Sequence, residues 1–306
     1  MNKNNKAFSL IELSIVILVI SLLVVGVTKG SRLMSEAKLK SAQALTSSSP
    51  VNAMTGVVLW LDATDASTIA TGTIASNAYG NPDDGSLVAK WKDHNPQLVS
   101  SSQNELAAAA DDKRPKYTRN GINGLPTLSF DGANNNYLTS SNSAIASGKT
   151  GYTMVAVWQA NTLSTGMIFA QGGCTTNVNE GNSAGMYIKS TPANIASWGC
   201  GASGDFAGTT VYSAKTPYIA IAQVNKNLAN NRMSLYLNGT AQLSGDKPSI
   251  VEPLISAPIF VGAESVSNNF FNGYISELIV FDRSLTVSEI ADVQGYLSRK
   301  YSIKIK

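Results

Sequence analysis

The sequence has little charge and few of the residues that most catalytic centres use. Only 14% of its 306 residues are Asp, Glu, Lys or Arg, compared with roughly 25% in an average globular protein. It contains one histidine, His94, which excludes a zinc site built on several histidines and which we expect to lie in a surface loop. With a net charge of +3 and no basic stripe, the chain lacks the electrostatic footprint of a nucleic-acid-binding protein.

Proline is absent from residues 8–49, and ionisable side chains are almost absent from residues 8–27, where only Glu12 interrupts the apolar run. Twenty helical residues span about 30 Å, the thickness of the hydrocarbon core of a bilayer. Lys3 and Lys6 precede this segment, so the positive-inside bias leaves the N-terminus in the cytoplasm and the rest of the chain outside. The sequence therefore predicts a membrane-spanning helix near its start.

Three interpretations of this segment compete. A cleaved secretory signal would have an apolar run of about 7–15 residues followed by a small-residue cleavage site, whereas this run is longer and residues 26–32 make a poor cleavage site. A plain signal anchor accounts for the length but leaves Glu12 unexplained, because a carboxylate inside an apolar span is costly unless it has a partner. The third interpretation gives Glu12 a role.

Residues 6–16, Lys-Ala-Phe-Ser-Leu-Ile-Glu-Leu-Ser-Ile-Val, closely resemble the prepilin processing motif of type IV pilins and type II secretion pseudopilins. The resemblance implies that a prepilin peptidase cuts between Ala7 and Phe8, that the new amine of Phe8 is N-methylated, and that Glu12 stands at the fifth mature position. There its carboxylate can neutralise the amine of a neighbouring pilin subunit in a filament core. The family most often has Gly where this sequence has Ala7, and many members have a helix-kinking Pro that is missing here.

The chain divides into four predicted parts. Residues 1–7 form the leader, residues 8–45 the membrane and assembly helix, residues 46–54 a polar linker that stops the helix, and residues 55–306 a head. In the head, short runs rich in Val, Ile, Tyr, Phe and Trp recur between turn residues without a βαβ rhythm, which predicts an all-β sandwich or barrel. The clearest predicted strands are 57–61, 127–130, 152–158, 166–170, 186–189, 218–224, 233–237, 259–262 and 274–281.

Three local signals add detail to the head. Asn238-Gly239 is the favoured two-residue turn of a β-hairpin. Thr286 and Glu289 form a capping box that predicts a short helix near the C-terminus. Asp131-Gly132 is expected to end a strand in a turn.

The order of several motifs in the head is similar to that of the concanavalin A-like lectin/glucanase (laminin G-like) superfamily, over roughly residues 55–305. The resemblance implies a fold that is mainly β, a jelly-roll β-sandwich preceded by one long N-terminal hydrophobic α-helix. The segments that carry the resemblance are residues 56–62, 125–132, 152–158, 235–239, 271–282 and 284–297.

Members of this superfamily include lectins, protein-binding modules, glycosidases and structural spacers, so the fold alone does not decide the function. In one large glucanase branch the catalytic acids share a strand as Glu-x-Asp-x-x-Glu, a pattern that is absent here. Glu277 is alone on its strand, where we expect it on the solvated face, and Asp282 lies past the end of that strand. We therefore predict that the protein is not an enzyme.

Candidates for ligand binding are few. Trp60 and Trp158 lie in apolar strands and are expected in the core, and Trp91 precedes the polar loop of His94, whereas Trp198 stands in a Gly-rich loop and is the candidate sugar-stacking residue. Calcium is frequent in the superfamily, but no EF-hand spacing identifies its ligands and no other cofactor is expected. Acidic residues near loops that offer oxygen ligands are Asp62, Asp65, Asp83, Asp84, Asp111, Asp112, Asp131 and Asp205.

The two cysteines, Cys174 and Cys200, both lie in the part of the chain predicted to be outside the cell. An even count in an oxidising compartment favours one disulfide between them. The enclosed loop is rich in Gly, Ser, Thr and Asn, and the chain-entropy model gives such a bridge roughly 3–4 kcal/mol of stabilisation.

These observations predict a pilin-like filament subunit that displays a lectin-like head for adhesion or surface binding, with a carbohydrate as one candidate ligand. The alternatives are a purely structural pilin and a type II secretion pseudopilin, neither of which needs a ligand. The expected partners are a prepilin peptidase, other pilin subunits, the inner membrane before assembly, and a glycan or surface protein. The expected locations are the inner membrane and then an extracellular filament at the cell surface.

Overall fold

The computed structural model describes residues 10–75, 78–98, 103–172, 183–198, 206–246, 256–266 and 268–306. Within these ranges, helix α1 spans Leu10–Ser47 and helix α2 spans Val287–Tyr301. The strands, in chain order, are β1 (Val57–Asp62), β2 (Ile69–Thr71), β3 (Ala78–Tyr79), β4 (Val88–Lys92), β5 (Glu105–Ala108), β6 (Lys116–Thr118), β7 (Thr127–Phe130), β8 (Leu138–Ser140), β9 (Gly151–Ala160), β10 (Gly166–Gln171), β11 (Ala184–Ile188), β12 (Asn194–Trp198), β13 (Phe206–Val211), β14 (Pro217–Asn225), β15 (Met233–Leu237), β16 (Thr240–Gly245), β17 (Ile259–Val261) and β18 (Gly273–Phe281).

The strands form two antiparallel sheets. The first has the order β16-β15-β14-β9-β18-β7-β6, and β1 joins it by pairing with β18. The second has the order β13-β12-β11-β10-β17-β8-β5-β4-β2-β3. The first and last strands of the head are therefore neighbours, and Asp62 at the end of β1 lies directly opposite Glu277 of β18.

The first sheet buries both of its faces. Side chains of successive residues in a strand point to opposite faces, so Leu59 and Leu61 pack between the sheets while Trp60 packs on the outer face. The strand β9 repeats this pattern, and nearly all of its side chains are buried. Helix α2 and the C-terminal end of α1 cover the outer face. Two apolar layers thus sandwich the first sheet.

The predicted fold is confirmed: the described chain is mainly β, two sheets form a sandwich, and one long apolar helix precedes them. The strands β7 and β15 coincide with predicted runs. Asn238 and Gly239 connect β15 to β16 with φ of 46° and 82°, the left-handed values that a type I′ hairpin turn requires. Thr286 and Glu289 form the capping box that was predicted for α2.

The segment between α1 and β1 is packed against the head. Helix α1 ends at Ser47, two residues beyond the predicted end at 45, and a helical turn over Pro50–Ala53 follows. Val51 is fully buried, because it is apolar and faces the outer layer of the core. The side-chain amide of Gln97 donates to the carbonyl oxygens of Asn52 and Met54 at 3.0 and 2.8 Å. These contacts fix the direction in which α1 leaves the head.

Candidate functional site

The N-terminal half of α1 is an apolar surface that the head does not cover. This helix is long and apolar enough to cross a membrane. The exposed fractions of its large apolar side chains between Leu10 and Val27 range from 47% at Val16 to 83% at Leu10. The hydroxyl groups of Ser14 and Ser21 each donate to a carbonyl oxygen one turn earlier, at 2.7 Å. Both polar groups are therefore satisfied within the helix, as a membrane segment requires.

Glu12 lies in the first turn of α1 and is exposed. An acidic side chain at this end also complements the positive pole of the helix dipole. The predicted processing residues, Ala7 and Phe8, lie outside the described residues, so the cut between them stays a prediction. The same is true of the predicted bridge between Cys174 and Cys200.

The C-terminal end of α1 enters the core of the head. Ala42 is 2% exposed and packs in the outer layer with Trp60 and Tyr296. The side-chain amide of Gln43 donates to the carbonyl oxygen of Thr64 at 2.9 Å. Lys38 donates to the carbonyl oxygen of Asn123. One continuous helix therefore joins the exposed apolar surface to the folded head.

A buried polar cluster lies where α1, β1, β18 and α2 meet, and we call it the junction cluster. At its centre the Nζ atom of Lys300 is 2.7 Å from Oδ2 of Asp62 and 2.6 Å from Oε2 of Glu277. All three side chains are at most 1% exposed. The cluster consists of Thr46, Trp60, Asp62, Thr64, Glu277, Tyr296, Lys300 and Tyr301.

Glu277 accepts four hydrogen bonds. Its Oε1 atom accepts from Nε1 of Trp60 and from the hydroxyl of Tyr296, both at 2.8 Å. Its Oε2 atom accepts from Lys300 and, at 3.0 Å, from the hydroxyl of Tyr301. All the lone-pair positions of this carboxylate are thus used.

Asp62 also accepts four hydrogen bonds, two at each carboxylate oxygen. Its Oδ1 atom accepts from the backbone N–H and the hydroxyl of Thr64, at 2.8 and 2.7 Å. Its Oδ2 atom accepts from Lys300 and from the hydroxyl of Thr46, at 2.7 and 3.1 Å. Thr46 belongs to α1, so this cluster connects α1 directly to the first and last strands of the head.

Burial and charge act in opposite directions on the two acids. Burial raises the pKa of Asp62, but the attraction and hydrogen bonding of Lys300 outweigh it, so this pKa lies below its usual value. Burial also raises the pKa of Glu277, and the attraction of Lys300 does not offset burial and the repulsion of Asp62. Two carboxylates that share one ammonium cannot both be fully compensated, and their pKa values are pushed apart.

These contacts correct two predictions. Glu277 was expected on the solvated face of its strand, but it faces α2 and is buried, because Lys300 and three other donors compensate its charge. Asp62 was a candidate metal ligand, but it is paired with Lys300. No group of three His, Cys, Asp or Glu side chains suited to a metal occurs in the part of the chain that the structure describes.

The role of Lys300 was not predicted from the sequence, although its spacing from apolar residues of α2 indicates it. It follows Tyr296 by four residues and Val293 by seven, which places it on the apolar face of α2. A lysine in an apolar stripe needs a buried acid, and the acids available on the packed strands are Asp62 and Glu277.

His94 is also more enclosed than predicted. Its Nδ1 atom lies 2.7 Å from Oδ2 of Asp65, and its side chain is 25% exposed. Its ring contacts the edge of Trp60, with centroids 5.1 Å apart. Burial lowers the pKa of His94, but the hydrogen bond to Asp65 and the nearby carboxylates raise it further, so the net shift is upward. His94 therefore lies in a loop, as predicted, but Asp65 holds its ring against the head and the side chain is only partly exposed.

Strands β6 and β7 and nearby loops line a polar pocket of about 420 Å³, which we call the loop pocket. Asp131 begins a turn there, as predicted, and its carboxylate accepts from the backbone N–H of Ala133 and the side-chain amide of Asn134 at 3.0 and 2.6 Å. The amide of Asn161 donates to Asn272 at 3.1 Å. The lining residues are Leu87, Asp111, Asp112, Arg114, Lys116, Ser129, Phe130, Asp131, Asn134, Asn136, Asn161 and Asn272.

The structure rules out three tryptophans as stacking platforms. Trp60, Trp91 and Trp158 are fully buried, which confirms the core positions expected for Trp60 and Trp158. The loop position predicted for Trp198 is wrong, because its backbone forms the end of β12 and pairs with Gly185. The Asn194–Trp198 segment pairs with β11 on one side and β13 on the other, which its Gly-rich surroundings in the sequence concealed.

Two family models match parts of the chain. Residues 130–291, just over half of the chain, match the family described as the concanavalin A-like lectin/glucanases superfamily. Residues 2–28 match the prokaryotic N-terminal methylation motif. No curated protein shows a significant match.

Several solved structures are similar in fold. The sialidase of Trypanosoma rangeli in complex with 2,3-difluoro-KDN is 13% identical with a TM-score of 0.50, and the match covers 88% of this chain and 39% of the sialidase. A native heptameric SAP-like pentraxin from Limulus polyphemus is 18% identical with a TM-score of 0.44, over 54% of this chain and 79% of the pentraxin. The CBM40 of a Ruminococcus gnavus IT-sialidase, bound to α2,3-sialyllactose, is 13% identical with a TM-score of 0.40, over 51% of this chain and 97% of the CBM40. At these identities the similarity shows a shared β fold and nothing about activity.

Proposed function

We propose that this chain, which belongs to the concanavalin A-like lectin/glucanases superfamily and begins with a prokaryotic N-terminal methylation motif, is a type IV pilin-like filament subunit that carries its head to the cell surface for adhesion. The prepilin peptidase removes the leader at the cytoplasmic face of the inner membrane. The mature helix then leaves the bilayer and packs against the helices of other subunits. The head remains outside the filament core.

One observation carries the assembly part of this proposal. Helix α1 continues without a break from an exposed apolar surface into the core of the head. An apolar surface of this size needs a cover. Lipid covers it in the membrane, and the helices of neighbouring subunits cover it in a filament. The polar groups of Ser14 and Ser21, which are satisfied within the helix, suit both environments.

The adhesive part of the proposal rests on the family and on the loop pocket. Its lining is rich in amide and carboxylate groups from Asn and Asp, with Arg114 and Lys116 beside them. Such groups donate and accept hydrogen bonds in the directions that sugar hydroxyls require. We infer that the ligand class is a carbohydrate and that the loop pocket binds it. The stacking role predicted for Trp198 stays a prediction.

Glu12 provides the test of assembly. Glu12→Ala removes a charge from the apolar run, which makes membrane insertion easier by about 2–3 kcal/mol. In a filament the same change leaves the ammonium of Phe8 buried without its partner, which costs about 3–5 kcal/mol. We expect normal amounts of processed protein in the membrane and a strong loss from the sheared filament fraction. Glu12→Gln should behave in the same way, because it keeps the shape and loses the charge.

The matched control is Glu36→Ala. Glu36 lies on the same helix, is 55% exposed and pairs with Arg32 on the surface, an interaction worth only about 0.3–0.5 kcal/mol. The Glu36 variant should enter filaments like the wild type. Wild-type amounts of the Glu12 variants in sheared filaments would contradict the proposal, and a plain signal anchor would then explain the segment.

The purified full-length protein, applied to a glycan array, tests adhesion. We expect binding to a restricted set of glycans, and a weakened signal for Lys116→Ala and Asn134→Ala. Both residues are exposed and line the loop pocket, so these changes should leave the fold intact. Lys304→Ala, an exposed lysine outside the pocket, is the control. An empty array for the wild type would favour a purely structural subunit.

A further inference from the structure

The junction cluster holds an amine against a carboxylate in a site that water does not reach. We propose that Lys300 and Asp62 react within the folded head to form an intramolecular amide, joining Nζ of Lys300 to Cγ of Asp62. Glu277 carries the protons. The bond would be a covalent modification of the mature protein, made without an enzyme or an external reagent.

The geometry places the reacting groups together before any reaction. The Nζ atom is 2.7 Å from Oδ2 of Asp62, and both side chains are at most 1% exposed. Groups held in this way react with effective concentrations of about 10⁵–10⁸ M, so a step that is negligible in solution becomes feasible. A modifying enzyme has no access to this position. The reaction is therefore expected to follow folding.

The hydrogen bonds select Asp62 over Glu277 as the carboxyl group that reacts. If Glu277 lost Oε1, the indole N–H of Trp60 would lose its acceptor, whereas the hydroxyl of Tyr296 also lies 3.1 Å from that of Thr46. Loss of Oε2 would leave the hydroxyl of Tyr301 without an acceptor. Unpaired buried donors cost about 1–3 kcal/mol each. When Asp62 loses Oδ2, the affected donors are Lys300 itself and Thr46. The hydroxyl of Thr46 retains the carbonyl oxygen of Ala42 at 3.2 Å.

The remaining oxygen of Asp62 is already placed to carry negative charge. Its Oδ1 atom accepts from the backbone N–H of Thr64 at 2.8 Å and from the hydroxyl of Thr64 at 2.7 Å. Attack on Cγ develops an oxyanion at this atom. Two fixed donors at this distance, in a dry site, stabilise such a charge. The same two bonds persist to the carbonyl oxygen of the product.

The reaction balances within the cluster. The starting groups are the ammonium of Lys300 and the carboxylate of Asp62. Glu277 accepts a proton from Nζ, the freed electron pair of Nζ forms the N–Cγ bond, and the Cγ–Oδ2 bond breaks. Oδ2 leaves as water with two of the three ammonium protons, one of them delivered by Glu277, whose protonation state is restored. The third proton stays on the amide nitrogen and donates to Glu277.

The surroundings favour the product. Trp60, Tyr296 and Tyr301 enclose the site, and all three side chains are at most 1% exposed. Burial raises the pKa of Glu277, so this acid accepts a proton more readily than it would in water. The reaction removes the charges of Lys300 and Asp62 from the interior, and the carboxylate of Glu277 keeps its hydrogen bonds from Trp60, Tyr296 and Tyr301.

The position of the bond suggests its use. Asp62 ends the first strand of the head and Lys300 lies near the end of the last helix, so the bond would close almost the whole head into one covalent ring. Thr46 of α1 contacts Asp62 directly. Mechanical force transmitted to the head through α1 would therefore act near the cross-linked residue Asp62.

Mass spectrometry of the wild-type full chain, purified in detergent from its host membranes, tests the proposal. After reduction, the intact mass should be lower by one water molecule than the mass calculated from the measured N-terminus. A tryptic digest should contain a branched peptide in which fragmentation places the link between Asp62 and Lys300. Linear peptides at full mass, with cleavage after a free Lys300, would overturn the proposal.

Two variants identify the roles. Asp62→Ala and Glu277→Gln should both show the full mass of their own sequence, the first because the reacting carboxyl is missing and the second because the proton carrier is. A variant that fails to fold leaves the wild-type measurement decisive. A water deficit that survives in Asp62→Ala, or a wild-type link at Glu277, would also overturn the assignment.

Discussion

At the scale of single residues, the head keeps its charges in two different environments. Most ion pairs lie at the surface, such as Arg119 with Asp83, and contribute little to stability. The pairs of Lys300 with Asp62 and Glu277 are buried, and loss of one partner from such a group costs about 3–5 kcal/mol. The contrast shows that position, more than the number of charges, decides which acids matter for this fold.

His94 leads to a prediction about how the free energy of unfolding depends on pH. Its pKa in the folded protein is raised above the ordinary value of 6.5, against the effect of burial, by Asp65 and the carboxylates of the junction cluster. A raised pKa contributes stability that is full below the unfolded value and is lost as the pH rises through the folded value. We therefore expect the wild type to exceed His94→Gln in free energy of unfolding mainly at acidic pH.

The measurement is urea unfolding of both proteins at several values between about pH 5 and pH 8. The difference between them should shrink as the pH rises. A difference that is constant, or that grows with pH, would show that His94 is not charged against Asp65 in the folded state.

At the scale of elements, α2 is held by contacts at its first turn and by contacts in its second half. Thr286 and Glu289 exchange hydrogen bonds at the first turn, and Arg283 pairs with Glu289 through two bonds at 2.9 and 2.6 Å. The hydrogen bonds of Arg283 hold the pKa of Glu289 at about 2. Further along the helix, Tyr296 and Lys300 enter the junction cluster. Contacts near the start of α2 and contacts with distant strands thus hold the helix in the same position, against the outer face of the first sheet.

Thr286→Ala tests the local contribution. Removal of the capping hydroxyl should lower the free energy of unfolding by about 1 kcal/mol. Ser288→Ala is the control, since Ser288 is exposed in the same turn and should change stability by no more than about 0.5 kcal/mol. Equal unfolding midpoints for the two variants would mean that the capping box does not stabilise α2.

The elements that the sequence predicts correctly are those with local signals. The Asn238-Gly239 turn and the Thr286 capping box depend on residues a few positions apart. The junction cluster depends on Asp62 and Glu277 lying opposite each other across the first and last strands of the head, and on a lysine from a helix that follows. That pairing is a property of the sheet order, so the sequence alone could not supply it. Short strands such as β3, Ala78–Tyr79, also lack a periodic pattern to recognise.

At the scale of the whole molecule, α1 and the head form one packed unit. Ala42 is buried against the outer layer while Ala44, two residues away on the same helix, is exposed. Ala42→Leu should therefore overpack the junction and lower the free energy of unfolding by about 1–3 kcal/mol. Ala44→Leu should change it by less than about 0.5 kcal/mol. Thermal unfolding of both variants in detergent measures this contrast, and equal values would contradict the packing of α1 on the head.

Maturation of a precursor into a filament subunit would leave its mark at the N-terminus. Mass spectrometry of the N-terminal peptide, from filaments sheared off the native host, detects that mark. We expect a chain that starts at Phe8, with a methyl group on its amine. A chain that still starts at Met1, or one cut near residue 30, would contradict it.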